Sequence, residues 1–155
     1  MILYHGSNVP IGTIDLSLSK PNKDFGRAFY LSDTNAQAME MAQAKCIQFG
    51  GTPCVTAFEV DETQMTQLNR KIFNEYCGEW ARFVYDNRDE RQDFTHPYDI
   101  VFGPIADDYI GKQMRKFRFQ NISFEQFLEE IKYPQGITFQ YAFCTPEAVK
   151  LLHKI

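Results

Sequence analysis

The sequence predicts an α+β domain, a sheet flanked by helices. Short apolar or β-branched runs at Met1–Tyr4, Phe29–Leu31, Cys54–Val60, Tyr98–Gly103 and Ile137–Phe143 have the length and character of strands. Between them lie segments with helical spacing, two of them opened by capping pairs, Thr34 with Gln37 and Ser123 with Gln126. With 155 residues, 44% apolar and 15% aromatic, the chain can bury one good core, and residues 1–155 read as a single domain.

Composition excludes several function classes. A formal net charge of −4 gives no global field toward phosphate backbones, so any nucleic-acid contact would be local. Cys46, Cys54, Cys77 and Cys144 are scattered without paired spacing and read as reduced core thiols. No apolar run approaches the ~20 residues of a membrane span, and Ile2-Leu3-Tyr4 is too short for a secretory leader. A cytoplasmic protein without a membrane partner is expected. His5, His96 and His153 stand apart from cysteine or acid clusters, so no metal site is expected. No glycine-rich phosphate loop follows a strand, which argues against a Rossmann fold.

The elements follow in order. The first strand runs into His5-Gly6-Ser7-Asn8, where glycine has no Cβ to hold a ligand off the backbone. For a lone histidine such as His5 a hydrogen bond within a turn is the commoner explanation, and the Tyr30 stretch reverses that balance. Val9 to Asp24, with Pro10, Gly12, Pro21 and Asn22, reads as an irregular loop over a pocket. Phe25-Gly26 turns the chain into the buried run Phe29-Tyr30-Leu31, after which Ser32 or Asp33 offers a cap oxygen. A helix from Asp33 to Gln48 carries Met39, Ala42, Cys46 and Phe49 at 3-4-3 spacing and ends at Gly50-Gly51.

In the Cys54–Val60 strand, Glu59 shares a face with Val55 and Ala57, either as a site carboxylate or as a solvated edge residue. Asp61 to Asn87 reads as helical, with Phe73, Tyr76, Trp80, Phe83 and Val84 as a core stripe, and Asp86 to Asp93 as a charged surface loop. After the strand ending at Gly103-Pro104, Asp107 and Asp108 open a helix, either as caps or as ligand-facing acids. The basic segment Lys112, Arg115, Lys116, Phe117, Arg118 and Phe119 is a solvated helix face or a contact for an acidic or nucleic-acid partner, with Arg115 and Lys116 expected outside the pocket. Ser123 begins a helix to Lys132, Pro134-Gln135-Gly136 turns the chain into the last strand, and Thr145-Pro146 starts a final helix to His153.

Tyr4-His5-Gly6-Ser7, followed by Phe25-Gly26 and Phe29-Tyr30-Leu31-Ser32-Asp33, resembles the first two signature strands of the ADP-ribosyltransferases of diphtheria-toxin and poly-ADP-ribose-polymerase type. Their signature is His, Tyr and Glu on three separate strands. Gln140, just before Tyr141 in the last strand, stands at the place of the glutamate, so the match reads His5, Tyr30, Gln140. More narrowly, nearly the whole chain resembles a bacterial family of small single-domain proteins assigned to that superfamily by motif, in which YHGS, DFG-x-x-FYL and YDIV-x-GP-x-ADD recur.

The resemblance implies a split, mainly antiparallel sheet with a cleft between the strands of His5, Tyr30 and Gln140. It implies NAD as substrate and transfer of one ADP-ribose to a macromolecular acceptor, protein or nucleic acid. His5, Tyr30 and Gln140 would be catalytic. His5 would meet the adenosine-side ribose, the Gly6 backbone would meet the nicotinamide carboxamide, Ser7 would also contact the cofactor, and Tyr30 would stack on or beside the nicotinamide ring. The Val9–Asp24 connection would hold the adenosine half. In the polymerase pattern a serine and a second stacking aromatic stand where this chain has Ala38 and Met41, and Met41 is carried as a cofactor contact through its polarizable sulfur. Glutamine keeps an acceptor and loses the charge, which favours single transfer over chain elongation; Gln140→Glu is expected to preserve or raise NAD cleavage. The other reading is a non-catalytic module that binds NAD, ADP-ribose or a partner in a vestigial cleft.

Overall fold

The computed structural model describes residues 1–132 and 136–155. The N-terminal strand β1 (Ile2–Ser7) pairs antiparallel with β3 (Cys54–Glu59), which also holds the two-residue β7 (His153–Lys154). A second sheet has the order β2 (Phe29–Leu31), β6 (Phe139–Phe143), β5 (Ile100–Pro104), β4 (Arg70–Ile72), antiparallel except for β4 on β5. Among the described residues the sheets meet at one bridge, Tyr4 opposite Ser32, whose amides and carbonyls exchange two bonds of 2.8 Å. The sheet is therefore split, mainly antiparallel, and the fold is α+β. Tyr30 faces Ala142 across β2 and β6, and because side chains alternate along a strand, Gln140 shares that face as a diagonal neighbour of Tyr30.

Helix α1 (Asn35–Phe49) packs on β1, and its buried contacts are Ala38 and Ala42 rather than the larger Met39 and Phe49 of the expected stripe. Small residues are needed because the backbones nearly touch. A Cβ built on Gly6 would lie 1.9 Å from the Ala38 carbonyl oxygen, so the missing side chain is required by helix packing. The Thr34 hydroxyl caps α1, but Gln37 does not close the expected box: its Nε2 donates 3.0 Å to the Phe139 carbonyl and ties α1 to β6.

The continuous helix expected over 61–87 is not formed. It divides into a single turn, α2 (Glu62–Met65), then β4, and then α3 (Gly78–Arg88), which begins at Gly78 with Cys77 as its cap. Phe73 is buried as expected, yet just past β4 rather than in a helix, its amide donating 2.8 Å to the Phe102 carbonyl. The final helix is also shorter than expected, α6 (Pro146–Val149), and His153 belongs to β7. The expected charged loop is partly interior: Asn87 and Asp89 are 3% and 2% exposed, and Asp89 pairs with Arg91 and Arg118. Asp107 is a cap, its Oδ1 accepting from the Ile110 amide (2.8 Å) at the start of α4 (Asp108–Arg118), and α5 (Phe124–Ile131) carries the complete Ser123–Gln126 box. Of the expected turn at 134–136, Pro134 and Gln135 lie outside the described residues.

Two apolar clusters flank the second sheet. Trp80, Val84, Met114 and Phe127 from α3, α4 and α5 pack with Phe25 and Val101, while Leu3, Phe58, Met65 and Leu152 pack with Leu31, Ile100 and Phe143. The four cysteines are free and half-buried. No helix among the described residues is long and apolar enough to cross a membrane.

Candidate functional site

His5 lies on β1 beside the seam, with its Nδ1 2.6 Å from the Tyr30 carbonyl oxygen. A carbonyl can only accept, so Nδ1 carries the proton and Nε2 of the neutral ring remains an acceptor. Burial, followed by the charge of Lys45, lowers the imidazole from 6.5 to about 4, which keeps it neutral at physiological pH. Phe29 stacks on its ring at a centroid separation of 4.1 Å.

Tyr30 gives the site a wall, with its hydroxyl fully engaged elsewhere. The hydroxyl donates to the Gly26 carbonyl (2.7 Å) and accepts from the Phe25 amide (3.0 Å), pinning the turn that precedes β2. Burial, reinforced by Asp24, holds it well above the usual tyrosine range. Gly26 is required in that turn: its φ is +82°, and an added Cβ would stand 2.8 Å from Asn87 Oδ1. Lys23 Nζ lies 5.4 Å from the Tyr30 ring centroid.

Gln140 reaches Asp24, the last residue of the Val9–Asp24 loop. Asp24 is 8% exposed, and its Oδ2 accepts from Gln140 Nε2 (3.2 Å) and from the Ala106 amide (3.1 Å). Its Oδ1 is paired with Arg88, through Nε at 2.7 Å and Nη2 at 2.5 Å. A carboxylate repels an amide oxygen, so Asp24 dictates which way the Gln140 amide faces. The nitrogen is spent on Asp24, and Gln140 Oε1 has no hydrogen-bond partner among the described residues. The sequence signal for Asp24 was its place before Phe25-Gly26; nothing local pointed to Arg88.

All six residues expected at the site, His5, Gly6, Ser7, Tyr30, Met41 and Gln140, line one cleft of about 1040 Å³. The Val9–Asp24 loop, irregular apart from one 3₁₀ turn at Leu16–Leu18, forms much of its border, as expected. Met41, 48% exposed, lies at its lip, and the Gly6 carbonyl accepts from Lys45 Nζ (2.7 Å). Glu59 is exposed opposite His153 and, like Asp107 and Asp108, is not among the lining residues. Arg115, expected outside, lines the cleft, whereas Lys116 does not.

The cleft departs in charge from the acidic molecule around it. Lys20, Lys23, Lys45, Arg88, Arg115 and Arg118 line it against Asp15, Asp24 and Glu90. Burial lowers the Lys45 ammonium to about 8, with Lys23 adding to the shift, and burial lowers Lys23 as well. The site can therefore hold an anion, present a neutral imidazole acceptor and offer an oriented amide oxygen.

The chain belongs to the family described as "Protein of unknown function (DUF3990)", whose match runs over residues 1–154. No curated protein and no solved structure matches it.

Proposed function

We propose that the protein binds NAD in this cleft and transfers one ADP-ribose from it to a macromolecular acceptor. The observation that carries the reading is the convergence of His5, Tyr30 and Gln140, from three separate strands, on one cation-lined cleft. His5 Nε2 accepts a hydrogen bond from a ribose hydroxyl. The Tyr30 ring bounds the nicotinamide end, and Gln140 Oε1 accepts from a hydroxyl of the reacting ribose. The glycosidic bond breaks with its electron pair leaving on nicotinamide, and the ribose carbon becomes oxocarbenium-like before the acceptor's nucleophile attacks it. The acceptor's proton goes to a base on the acceptor or to solvent, because an amide cannot take it. Single transfer follows from that missing base. The setting we propose is the cytoplasm, where four free cysteines persist.

One observation favours a second reading, a module that holds NAD or ADP-ribose without turnover. Gln140 brings no charge to the reacting ribose, and the nearby Asp24 carboxylate is already paired with Arg88. Incubation of purified protein with NAD, followed for nicotinamide release and for thermal midpoint, tests both. The transferase raises its midpoint with NAD and releases nicotinamide, and His5→Ala loses both effects while staying folded. A midpoint shift without release supports the module. The absence of any shift well above ~1 mM NAD, where even weak binding registers by mass action, removes both readings.

A further inference from the structure

We propose that Lys23 and Lys45 form a diphosphate subsite in this cleft, gripping the two phosphates of a nucleoside diphosphate or of a dinucleotide. The two lysines come from different elements, Lys45 from α1 and Lys23 from the loop before Phe25, and both line the cleft. Each adjoins a different part of the site. The Lys45 ammonium donates to the carbonyl of Gly6, next to His5, and the Lys23 ammonium lies 5.4 Å from the Tyr30 ring centroid.

Neither makes an ion pair among the described residues. Asp24, whose charge acts on Lys23, has its oxygens engaged by Arg88, the Ala106 amide and Gln140. An ammonium has three donors, and Lys45 spends one of them on Gly6. Two half-buried cations held near one another, neither in an ion pair among the described residues, are unfavourable, and burial depresses both ammoniums. A dianionic diphosphate relieves this by supplying charge and acceptor oxygens to both at once. A single phosphate offers less span, and a neutral nucleoside offers none.

The assignment rests on the NAD reading for its choice of ligand, and the test uses ligands without nicotinamide, so the two fail separately. Calorimetric titration compares ADP, AMP and adenosine on the wild type and on a Lys23→Gln, Lys45→Gln double variant whose unfolding midpoint is checked first. ADP is expected to bind the wild type at least ~10-fold more tightly than adenosine, with AMP between them. In the double variant the ADP-to-adenosine ratio falls toward one while adenosine affinity holds.

A second measurement needs no variant. At pH 8, where Lys45 is partly deprotonated, ADP binding takes up about half a proton, read from the buffer dependence of the binding heat. Equal wild-type affinities for ADP and adenosine, no ADP binding at millimolar concentration, or a preference that survives the double substitution overturns the subsite. So does a single-stranded RNA ten-mer that outcompetes ADP, which reassigns the cations to a nucleic-acid acceptor. Lysine-dependent ADP binding without any NAD binding keeps the subsite and overturns the NAD reading instead.

Discussion

His5 carries a cost that can be measured. Its folded-state value near 4 lies below the 6.5 of an unfolded histidine, so between those values the unfolded chain binds the extra proton. Stability contributed by the neutral imidazole is fully present above pH 6.5 and is lost as the pH falls toward 4, by at most on the order of 3 kcal/mol. Urea unfolding between pH 4.5 and 7 should show this slope in the wild type, and His5→Gln should flatten it by about one proton; equal slopes would show that His5 titrates normally. Gln140 makes a second case. Because Gln140 Nε2 donates to Asp24 at 3.2 Å, Gln140→Glu sets two carboxylates against each other and is expected to cost stability, separately from its effect on NAD cleavage. The loss should be about 1–3 kcal/mol at pH 8 and smaller at pH 5, where the pair can share a proton; a pH-independent loss in denaturant titrations would mean the carboxylates do not meet. Resemblance to a three-strand signature singled out His5, Tyr30 and Gln140, each in a short strand motif. Asp24 was hidden because its partners Arg88, Ala106 and Gln140 are 64, 82 and 116 residues away in sequence.

Elements were legible where their own residues specify them. Thr34 and Ser123 mark helix starts by cap chemistry, and Ile100–Pro104 and Phe139–Phe143 are apolar enough to announce buried strands. The segment 61–87 departs from its helical pattern because Phe73, Tyr76, Trp80 and Val84 recur at helical spacing although the first two precede α3. What makes Arg70–Ile72 a strand is its parallel partner Ile100–Phe102, and three residues with two cations carry no β signal alone. His153–Lys154 is likewise set by its pairing with Phe58 and Glu59. Gly6 has a second reason to be glycine that its own motif does not reveal. Its missing side chain admits the Ala38 backbone, and that close approach fixes α1, and with it Lys45 and Met41, against the strand that carries His5. The same glycine can still lie along a ligand, because the cleft opens on its backbone while α1 occupies its Cβ position.

At the scale of the molecule, a chain of net charge −4 keeps a cation-rich cleft beside the join of its two sheets. That join is narrow. Tyr4 of β1 and Ser32, just past the end of β2, make the one bridge between the sheets among the described residues, whereas β5 and β6 run paired over five registers inside the second sheet. His5, Lys45 and Met41 belong to the β1 side, with α1, while Tyr30, Asp24 and Gln140 belong to the other. A ligand that touches both sides therefore adds contacts across the weakest connection in the sheet, and local opening there is what it should suppress. Hydrogen exchange followed by mass spectrometry should find the Tyr4 and Ser32 amides exchanging at least ~10-fold faster than those at the centre of β5 and β6 in the free protein. Saturating ADP-ribose should slow exchange in both seam segments together, leaving the β5–β6 centre little changed. Protection confined to one side would mean that the ligand rests on a single sheet, and the split would then have no part in binding.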